Sequence, residues 1–565
     1  MSKPWLKFYD AEVPAELVIP PLTIPDLLRQ ATQNYPKHTA TIFMGARLNY
    51  NQMKQQADKL AAALYALGVR KGDRVAIMLP NCPQAIMAYY ATLSLGAVTV
   101  MTNPLYVERE LEHQWGDSGA KVVIGLDIFW PRIEAVRSKL PLEHVILTGI
   151  QDYMPLAKKL LAPLELRRQG KWVDVAYADT IHAFKKLIDQ KHPAPPPVEL
   201  APTDLACLQY TGGTTGLPKG AMLSHRNLIA SLTQIRTFLL YGHGEAQDIA
   251  LAIMPFFHVY GMNGLMNLGI HLAATLVLIL QPNIKAIVDA IVAERPTFFT
   301  GIPSLFVALN TYHDIDKVDL TSIKAVFSGA APLPVEVMEK FEARTGVRIA
   351  EAYGMTEASS VTHVNPLKGQ RKFGSMGVPI IGTDAKIVDT EDYTRELAQG
   401  EVGELIVKGP QVMQGYWNAP AETANAMHDG WLRTGDIARM DEDGYFYIVD
   451  RKKDMILSAG FNVYPREVEE VLYQHPKVLE AAVIGLPDDL RGEKITAYLV
   501  LKPGETATAA EIRNFCRERL AQYKQPRTII FRDDLPKMLT GKVLRRQLRE
   551  EALTELGQDG GQTQE

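Results

Sequence analysis

A run of glycines and threonines directly after an apolar segment is the first part of the chain whose residue types could do chemistry. Leu205-Ala-Cys-Leu-Gln-Tyr predicts a buried strand, and it leads into Thr211-Gly-Gly-Thr-Thr-Gly-Leu-Pro-Lys-Gly220. Glycines let a backbone approach an anion closely, hydroxyls donate hydrogen bonds, and Lys219 adds a positive charge. A hairpin without a ligand is the alternative, and the entropy lost on ordering so glycine-rich a loop disfavours it. The segment therefore predicts a phosphate-binding loop.

This loop differs from the Walker motif of P-loop kinases and ATPases. The Walker motif places Ser or Thr directly after its lysine and then enters a helix, whereas Gly220 and the strand-like Ala-Met-Leu-Ser follow Lys219 here. P-loop kinase or ATPase chemistry is therefore disfavoured.

Further groups that could act on a nucleotide are scattered along the chain. Tyr353-Gly-Met-Thr-Glu357 offers an aromatic face, a hydroxyl, and a carboxylate suited to a hard cation. Asp436 follows a Thr-Gly turn, where it could accept hydrogen bonds from two hydroxyls or be an ordinary turn aspartate. Lys542 lies near the C-terminus, either as one more cation of a basic tail or as a charge that a separate domain delivers to the loop.

The composition of the chain limits the classes of protein that could contain these groups. The chain has 565 residues, of which 47% are hydrophobic and 22% charged, so it is globular and long enough for two or three domains. A formal charge of -4 provides no overall positive field for nucleic acid. The three cysteines have no metal-ligand or disulfide spacing, and the N-terminus does not resemble a signal peptide. We expect a cytoplasmic protein with no nucleic-acid partner.

The elements that must position the candidate residues follow from the periodicity. Helical and strand patterns alternate from Ile24 to about Ile150 and again from Leu205 to about Lys368, which predicts parallel α/β layers. A strand-rich region extends from Gly374 to Asp450, and Met455 to about Leu556 is typical of a small α+β unit. Residues 557–565 predict a disordered tail.

The most apolar stretch raises the question of a membrane span. Gly264 to Leu280 is about long enough to cross a bilayer, but Asn267, Gly269 and His271 interrupt its first half. A buried helix followed by a strand is the favoured interpretation.

A basic, amphipathic stretch from Asp152 to His192 raises the question of contact with a membrane surface. Pro155 and Pro163 should shorten any continuous amphipathic face. We therefore favour an insertion helix packed on its own domain, and leave contact with the inner face of the membrane as the alternative.

Six motifs in order resemble the signatures of the adenylate-forming superfamily, which includes acyl-CoA synthetases, luciferases and the adenylation domains of peptide synthetases. The resemblance covers nearly the whole chain. The motifs are the loop at Thr211, Pro255-Phe-Phe-His-Val-Tyr-Gly, Tyr353-Gly-Met-Thr-Glu357, Thr434-Gly-Asp436, Asp450-Arg-Lys-Lys-Asp454 and Gly541-Lys542.

The resemblance implies roles for individual residues. Thr214 and Glu357 would hold Mg²⁺, Asp436 and Arg451 would contact the ribose, and Lys542 would be catalytic, stabilising charge as pyrophosphate leaves. The catalytic set implied is Lys542, Thr214, Glu357 and His258. The ATP-binding set implied is Thr211, Gly212, Gly213, Thr214, Thr215, Gly216, Lys219, Gly329, Ala330, Ala331, Tyr353, Gly354, Met355, Thr356, Asp436, Ile448, Arg451 and Lys542.

The resemblance also implies a division into parts that move. The family's small domain swings after adenylation to admit the thiol of CoA, which gives an order to the two steps. Lys453 matches the hinge, and Gly460 matches the loop lining the CoA tunnel. The expected fold is α/β, with a large N-terminal domain of α/β subdomains plus a β-rich subdomain and a small mobile α+β C-terminal domain. The expected boundaries are 1–450 for the large domain, 451–454 for the hinge, 455–556 for the small domain and 557–565 for the tail.

The motifs say less about the acid substrate than about the nucleotide. His258 matches an aromatic or histidine gate beside the acyl pocket in the family, with a core histidine as the alternative. Phe256 to Met262 contains no acid that could pair with a substrate amine, which favours an uncharged acyl tail. Leu457 stands where luciferases carry an additional lysine.

The N-terminal segment and the insertion from Tyr153 to Leu187 look most like bacterial long-chain fatty acid CoA ligases. The expected substrates are therefore a fatty acid, ATP and CoA, with Mg²⁺ as cofactor. A medium-chain or aryl acid CoA ligase and a non-catalytic nucleotide or acyl-adenylate sensor remain alternatives, and a homodimer is left open.

Overall fold

The computed structural model describes residues 3–14, 16–211, 218–240, 244–452, 454–458, 461–488, 492–538 and 543–559. Its strands are β1 Thr39–Phe43, β2 Ala46–Asn49, β3 Arg74–Met78, β4 Val98–Met101, β5 Val122–Leu126, β6 His144–Thr148, β7 Ile181–Ala183, β8 Leu205–Thr211, β9 Lys219–Ser224, β10 Ile249–Ala252, β11 Thr275–Leu278, β12 Phe298–Gly301, β13 Ala325–Ser328, β14 Ile349–Tyr353, β15 His363–Val364, β16 Val378–Pro379, β17 Asp384–Val388, β18 Gly403–Lys408, β19 Met427–His428, β20 Trp431–Met440, β21 Phe446–Arg451, β22 Ile456–Ser458, β23 Phe461–Val463, β24 Val478–Asp488, β25 Gly492–Leu501 and β26 Thr528–Phe531.

The helices surround these strands in the alternating order that the periodicity predicts. They are α1 Ile24–Asn34, α2 Tyr50–Ala66, α3 Pro83–Ser94, α4 Glu108–Ser118, α5 Trp130–Arg137, α6 Leu156–Arg168, α7 Phe184–Asp189, α8 His225–Leu239, α9 Val259–Gly261, α10 Leu268–His271, α11 Ile284–Glu294, α12 Pro303–Thr311, α13 Val335–Thr345, α14 Pro420–Ala426, α15 Pro465–Tyr473, α16 Ala509–Arg517 and α17 Arg545–Asp559.

Two large sheets form the N-terminal part. The first has seven strands in the order β7-β6-β5-β3-β4-β8-β9, parallel except for the β8–β9 hairpin. The second has nine strands in the order β16-β15-β14-β13-β12-β10-β11-β1-β2, parallel at its centre and antiparallel at both ends. Strands β1 and β2 precede the first sheet in sequence yet join the second. The two predicted α/β runs therefore exchange strands.

One apolar core extends across both sheets. Helix α3 is buried from Pro83 to Leu93 on every side, as expected for a helix enclosed between layers. The apolar stretch from Gly264 to Leu280 is also buried, as a π-helical turn Met262–Asn267 followed by α10 and β11. This confirms the prediction of a buried helix followed by a strand. None of the helices in the described ranges is long and apolar enough to cross a membrane.

A smaller antiparallel sheet follows the large ones. It has the order β17-β18-β20-β19, and β21 pairs with β20. The register places Asp436 opposite Arg451 and Ile437 opposite Asp450. This sheet carries both predicted ribose contacts, Asp436 and Arg451, and ends at the predicted hinge.

The C-terminal unit is built on a separate sheet with the order β23-β22-β25-β24 and with β26 beside β25. Helices α15 and α16 cover one apolar face with Val468, Leu472, Ile512 and Cys516. Helix α17 covers the other face with Leu548 and Ala552, and it continues to Asp559, three residues into the predicted tail.

Helix α6 differs from the prediction that the basic insertion packs on its own domain. Pro163 lies inside a continuous 13-residue helix, and none of the 13 residues is buried. The Lys158 ammonium donates to the carbonyl of Met44 at 2.7 Å, so one side of the helix does rest on the β1–β2 turn. Four leucines, however, are between 63% and 73% exposed, namely Leu156, Leu160, Leu161 and Leu164. The expectation of a packed helix is therefore wrong for its leucine-bearing face.

Candidate active site

The predicted phosphate loop connects β8 to β9. Thr211 ends β8 and pairs with Lys219 at the start of β9, so the two ends of the loop lie side by side. Strand β8 is buried along Ala206–Tyr210, as its apolar sequence predicts. Gly212, Gly213, Thr214, Thr215 and Gly216 lie outside the described residues. The structure thus positions the two ends of the loop.

The segment between β18 and α14 packs against strand β9 of this hairpin. The Met222 amide donates to the carbonyl of Gly415 at 2.9 Å, and the Trp417 amide donates to Gly220 at 2.8 Å. Gly415 has a φ of 140° and a close neighbour in Thr423, so a side chain there would be strained. The turn brings the aromatic residues Tyr416 and Trp417 to the base of the loop.

Tyr416 links the loop lysine to the candidate metal ligand. Its hydroxyl donates to Glu357 Oε1 at 2.7 Å, and its ring lies 5.2 Å from the ammonium of Lys219. Lys219 also forms an ion pair with Glu422. Burial and the neighbouring Glu357 raise the pKa of Tyr416 well above its usual range, so its hydroxyl stays a proton donor. One tyrosine therefore contacts both the lysine of the loop and the carboxylate of the Tyr353–Glu357 motif.

Glu357 occupies a short helical turn that follows β14. The carboxylate is buried, and the backbone carbonyl of Glu357 accepts a hydrogen bond from Met413 at 2.7 Å. The turn is tight, since a Cβ at Gly354 would lie 1.5 Å from the carbonyl oxygen of Ser360. Glycine is thus required at position 354 to fold the chain back toward the phosphate loop. Met355 and Thr356, between these two residues, are partly exposed.

The predicted adenine and ribose residues meet directly. The Tyr353 hydroxyl donates to Asp436 Oδ2 at 2.6 Å, although the two residues are 83 positions apart in the sequence. Asp436 is 4% exposed, and its amide donates to Thr434 Oγ1 at 3.1 Å. On the neighbouring strand, Arg451 lies opposite Asp436, and the partly exposed Ile448 lies opposite Ala438.

Gly329, Ala330 and Ala331 follow β13, the strand next to β14 in the nine-stranded sheet. Because β13 and β14 are parallel, the turns after them lie at the same edge of the sheet, where α/β proteins bind their ligands. A Cβ at Gly329 would lie 3.3 Å from the ring of Tyr260 and 3.4 Å from the carbonyl of Ala352. Ala330 has a φ of 67°, which marks a sharp turn there.

His258 has a defined orientation. Its Nδ1 accepts a hydrogen bond from the Tyr260 amide at 3.2 Å, which leaves the proton of the neutral ring on Nε2. The ring keeps some exposure to solvent, yet the surrounding protein lowers its pKa to about 4. The segment is held by Asn81, which accepts from the Phe256 amide, and by Gln209 of β8, which donates to the Phe257 carbonyl. His258 is thus a neutral side chain attached to the strand that carries the phosphate loop.

Three of the predicted residues cannot be placed relative to these contacts. Lys542, the hinge residue Lys453 and the tunnel residue Gly460 lie outside the described residues. Their roles stay predictions from the motifs.

The Glu357 carboxylate is the kind of oxygen ligand that Mg²⁺ prefers. In the described part of the chain, no group of three or more His, Cys, Asp or Glu side chains could hold a metal ion. Mg²⁺ is typically held by one or two carboxylates together with substrate phosphates and water. Glu357 beside the phosphate loop provides that kind of site.

Comparison with known proteins agrees with this geometry. Residues 28–417 match the family model "AMP-binding enzyme", and residues 467–542 match "AMP-binding enzyme C-terminal domain". The chain belongs to the AMP-binding enzyme family. The two matched regions contain the phosphate loop, Tyr353 and Glu357 in the first and Lys542 in the second.

Individual relatives of this family member extend over its whole length. It is 45% identical to the long-chain-fatty-acid–CoA ligase of Bacillus subtilis strain 168, over 97% of this chain and 98% of the relative. It is 39% identical to the protein of the same name from Escherichia coli O157:H7, over 98% and 99%. The crystal structure of ATP-bound MatB from Rhodopseudomonas palustris superposes with a TM-score of 0.82 at 29% identity, over 94% and 99%.

Sequence reasoning missed Tyr416, which contacts both Lys219 and Glu357. The adjacent glycine and two aromatic residues, Gly415-Tyr-Trp, were the available signal. Only the pairing of this segment with β9 connects them to the site.

Proposed function

We propose that the chain is a long-chain fatty acid CoA ligase. In the first step a fatty acid carboxylate attacks the α-phosphorus of ATP, giving acyl-adenylate and pyrophosphate. In the second step the thiol of CoA attacks the acyl carbon, giving acyl-CoA and AMP. The observation that carries the proposal is the meeting of Tyr353 with Asp436 and of Tyr416 with Glu357 and Lys219 around one loop, in a chain related over its full length to ligases of that name.

We assign each part of the nucleotide to a different group of the predicted site residues. The loop from Thr211 to Lys219 would hold the triphosphate, Tyr353 would stack on adenine beside Gly329, and Asp436 would accept the ribose hydroxyls. When bound, Mg²⁺ would supply charge neutralisation to the phosphates, and Glu357 is the described residue that would hold it. Tyr416 keeps that carboxylate oriented.

We assign the segment around His258 to the acyl pocket, and this segment carries no charged side chain near pH 7. His258 is neutral near pH 7 because burial lowers its pKa to about 4, and the surrounding Phe256 and Val259 are buried and apolar. An uncharged chain suits such surroundings, whereas a charged amine would be left unpaired. This supports a fatty acid as the substrate.

The small C-terminal domain is the part that we expect to move. Lys542 would reach the α-phosphate during adenylation and withdraw afterwards, so that CoA enters past Gly460. The turning point would be at 451–454, with Lys453 as the hinge residue.

We also propose that the enzyme contacts an anionic lipid surface through α6. Its exposed leucines occupy one side of a helix about 20 Å long, at 1.5 Å per residue. Arg167, Arg168 and Lys171 follow at its C-terminal end and are exposed. An apolar face next to basic residues is typical of helices that lie in the headgroup region, where basic side chains attract anionic lipids.

Vesicle sedimentation tests the lipid contact. The wild-type protein should sediment with vesicles of phosphatidylcholine and phosphatidylglycerol, and the double variant Leu160→Glu/Leu164→Glu should not. Val18→Glu, a change at another exposed apolar residue, is the matched control and should sediment like the wild type. Equal sedimentation of all three proteins, or a wild-type homodimer that the double variant dissociates, would argue against the lipid contact.

Separate assays of the two half-reactions test the catalytic proposal. Lys542→Ala should lose acid-dependent exchange of labelled pyrophosphate into ATP, yet still form acyl-CoA from preformed acyl-adenylate. Arg546→Ala, four residues away and exposed, is the control and should retain both activities. Equal loss of both half-reactions in folded Lys542→Ala would contradict the role of this lysine. The same exchange assay with acids of different length and with aryl acids would identify the acid substrate.

A further inference from the structure

Arg545 collects three carboxylates at the junction between the large and small domains. Its guanidinium forms a two-pronged pair with Glu469, with Nη2 to Oε2 at 2.6 Å and Nε to Oε1 at 3.2 Å. Its Nη1 also reaches Asp454 at 3.2 Å and Asp450 at 3.5 Å. Arg545 is the first residue of α17 and lies three positions after Lys542.

Asp450 makes a second contact with the small domain. Its Oδ2 accepts a hydrogen bond from the Arg466 amide at 2.8 Å, in the first turn of α15. The residue before this helix, Tyr464, provides no side-chain cap. A carboxylate at a helix N-terminus satisfies a free amide and interacts favourably with the helix dipole. Asp450 therefore caps a helix of the small domain from outside that domain.

The contacts of Asp450 cross the predicted hinge, whereas those of Glu469 do not. Asp450 belongs to β21 and pairs with Ile437 of β20, next to Asp436 at the nucleotide site. Glu469 lies on α15 of the small domain and also accepts from the Val483 amide of β24 at 2.8 Å. Of the three partners of Arg545, Glu469 would move with it, Asp450 would stay with the large domain, and Asp454 lies at the predicted hinge.

Burial makes the crossing contact significant. The Asp450 side chain is 2% exposed, and a buried ion pair that is broken leaves an uncompensated charge. A rotation of the small domain about 451–454 must separate Asp450 from Arg545 and from the α15 N-terminus, or carry Asp450 along and disrupt its pairing in β21.

We propose that Asp450 is a positioning residue that latches the small domain to the nucleotide-binding sheet. Its carboxylate stabilises the domain orientation seen here through Arg545 and the N-terminus of α15, and releases both when the small domain turns. The position of the segment after Lys542 would then depend on the strand next to Asp436. The inference rests on the proposed two-step function, because the turn of the small domain comes from it.

The test compares two variants that each remove one carboxylate charge. Asp450→Asn weakens contacts across the predicted hinge, whereas Glu469→Gln weakens a contact within the small domain. Cysteines introduced as Val18→Cys and Glu505→Cys would carry a fluorescent donor and acceptor, one on each domain. Both sites are exposed, and the native cysteines Cys82, Cys207 and Cys516 are buried. Energy transfer measured without substrate reports the orientation of the small domain relative to the large one. The rates of the two half-reactions are measured separately, in Asp450 and Glu469 variants that keep native Val18 and Glu505.

Asp450→Asn should change the distribution of energy transfer and alter the ratio of the two half-reaction rates by about tenfold, as the loss of a charge-assisted contact allows. Glu469→Gln should lower the Tm and leave that ratio within about twofold. Unchanged energy transfer in Asp450→Asn, or equal slowing of both half-reactions, would overturn the latch.

The latch can also be tested if Asp450→Asn does not fold or if the wild type makes no acyl-CoA. If Asp450→Asn does not fold, Arg545→Lys should shift the energy transfer in place of it, because a single ammonium cannot contact Glu469 and Asp450 together as the guanidinium does. No shift would overturn the latch. If the wild type makes no acyl-CoA, the proposed function fails, whereas energy transfer still tests the latch by itself.

Discussion

Glu357 beside the phosphate loop and Asp450 at the domain junction are both buried carboxylates, yet they are stabilised by different partners. Glu357 accepts a hydrogen bond from the neutral hydroxyl of Tyr416, and Asp450 accepts one from a helix N-terminus and pairs with the cation of Arg545. An arginine partner offsets the charge of a carboxylate, whereas a neutral hydroxyl donor does not. The difference predicts that Glu357 is a binding group and that Asp450 is a structural one.

The largest expected effect is at Glu357. Glu357→Gln keeps an acceptor for Tyr416 but removes the charge, and Glu357→Ala removes both. If the charge serves a bound cation, both variants should lower kcat/KM by about 10²-fold or more, the order seen when an electrostatic group is removed from an active site. Steady-state kinetics at several Mg²⁺ concentrations would measure this. Near-normal activity in the Gln variant would show that Glu357 acts only through its hydrogen bond.

A smaller effect is expected from the two tyrosine hydroxyls. Tyr416→Phe leaves Glu357 without its neutral donor and should raise the Mg²⁺ concentration needed for half-maximal rate. Tyr353→Phe frees Asp436 from its 2.6 Å hydrogen bond and should instead raise the KM for ATP. Each change should be about two- to tenfold, since one hydrogen bond contributes about 0.5–1.5 kcal/mol. Identical effects of the two variants on both parameters would contradict the division of roles.

The smallest effect concerns Glu351, a third buried carboxylate on the same strand as Tyr353. Burial raises its pKa to about 7, against the effects of nearby Arg466 and of the Leu333 amide. The folded protein therefore holds a proton that the unfolded chain releases near pH 4.5, so this group lowers stability as pH rises from about 4.5 to 7. Glu351→Gln should remove that slope, and its Tm relative to wild type should rise between pH 5 and pH 8.

Thermal unfolding of the two proteins across this pH range would show the difference. The full effect is at most about 4 kcal/mol, because the pKa rises from 4.5 to about 7 and one pKa unit corresponds to about 1.4 kcal/mol. Parallel pH profiles would mean that Glu351 titrates near its ordinary pKa. The third carboxylate would then not be a buried neutral acid.

Much of the local structure could be predicted from the sequence because it depends on neighbouring residues. The buried strand before the phosphate loop and the buried helix and strand between Gly264 and Leu280 both follow from short apolar patterns. The exchange of β1 and β2 into the second sheet could not be predicted, since strand pairing is a long-range contact. The exposure of the leucines on α6 was missed because Pro163 was expected to interrupt the helix.

The sequence by itself determined the kinds of groups and their order along the chain: a glycine- and threonine-rich loop, an aromatic residue followed by a carboxylate, an aspartate after a Thr-Gly turn and a late lysine. These follow from residue chemistry within a few positions. Only the tertiary structure decided that Tyr353 donates to Asp436, that Tyr416 contacts both Lys219 and Glu357, and that Asp450 caps a helix across the predicted hinge. Such contacts join residues far apart in sequence, and they form only when strand order and packing bring the edges of different sheets together.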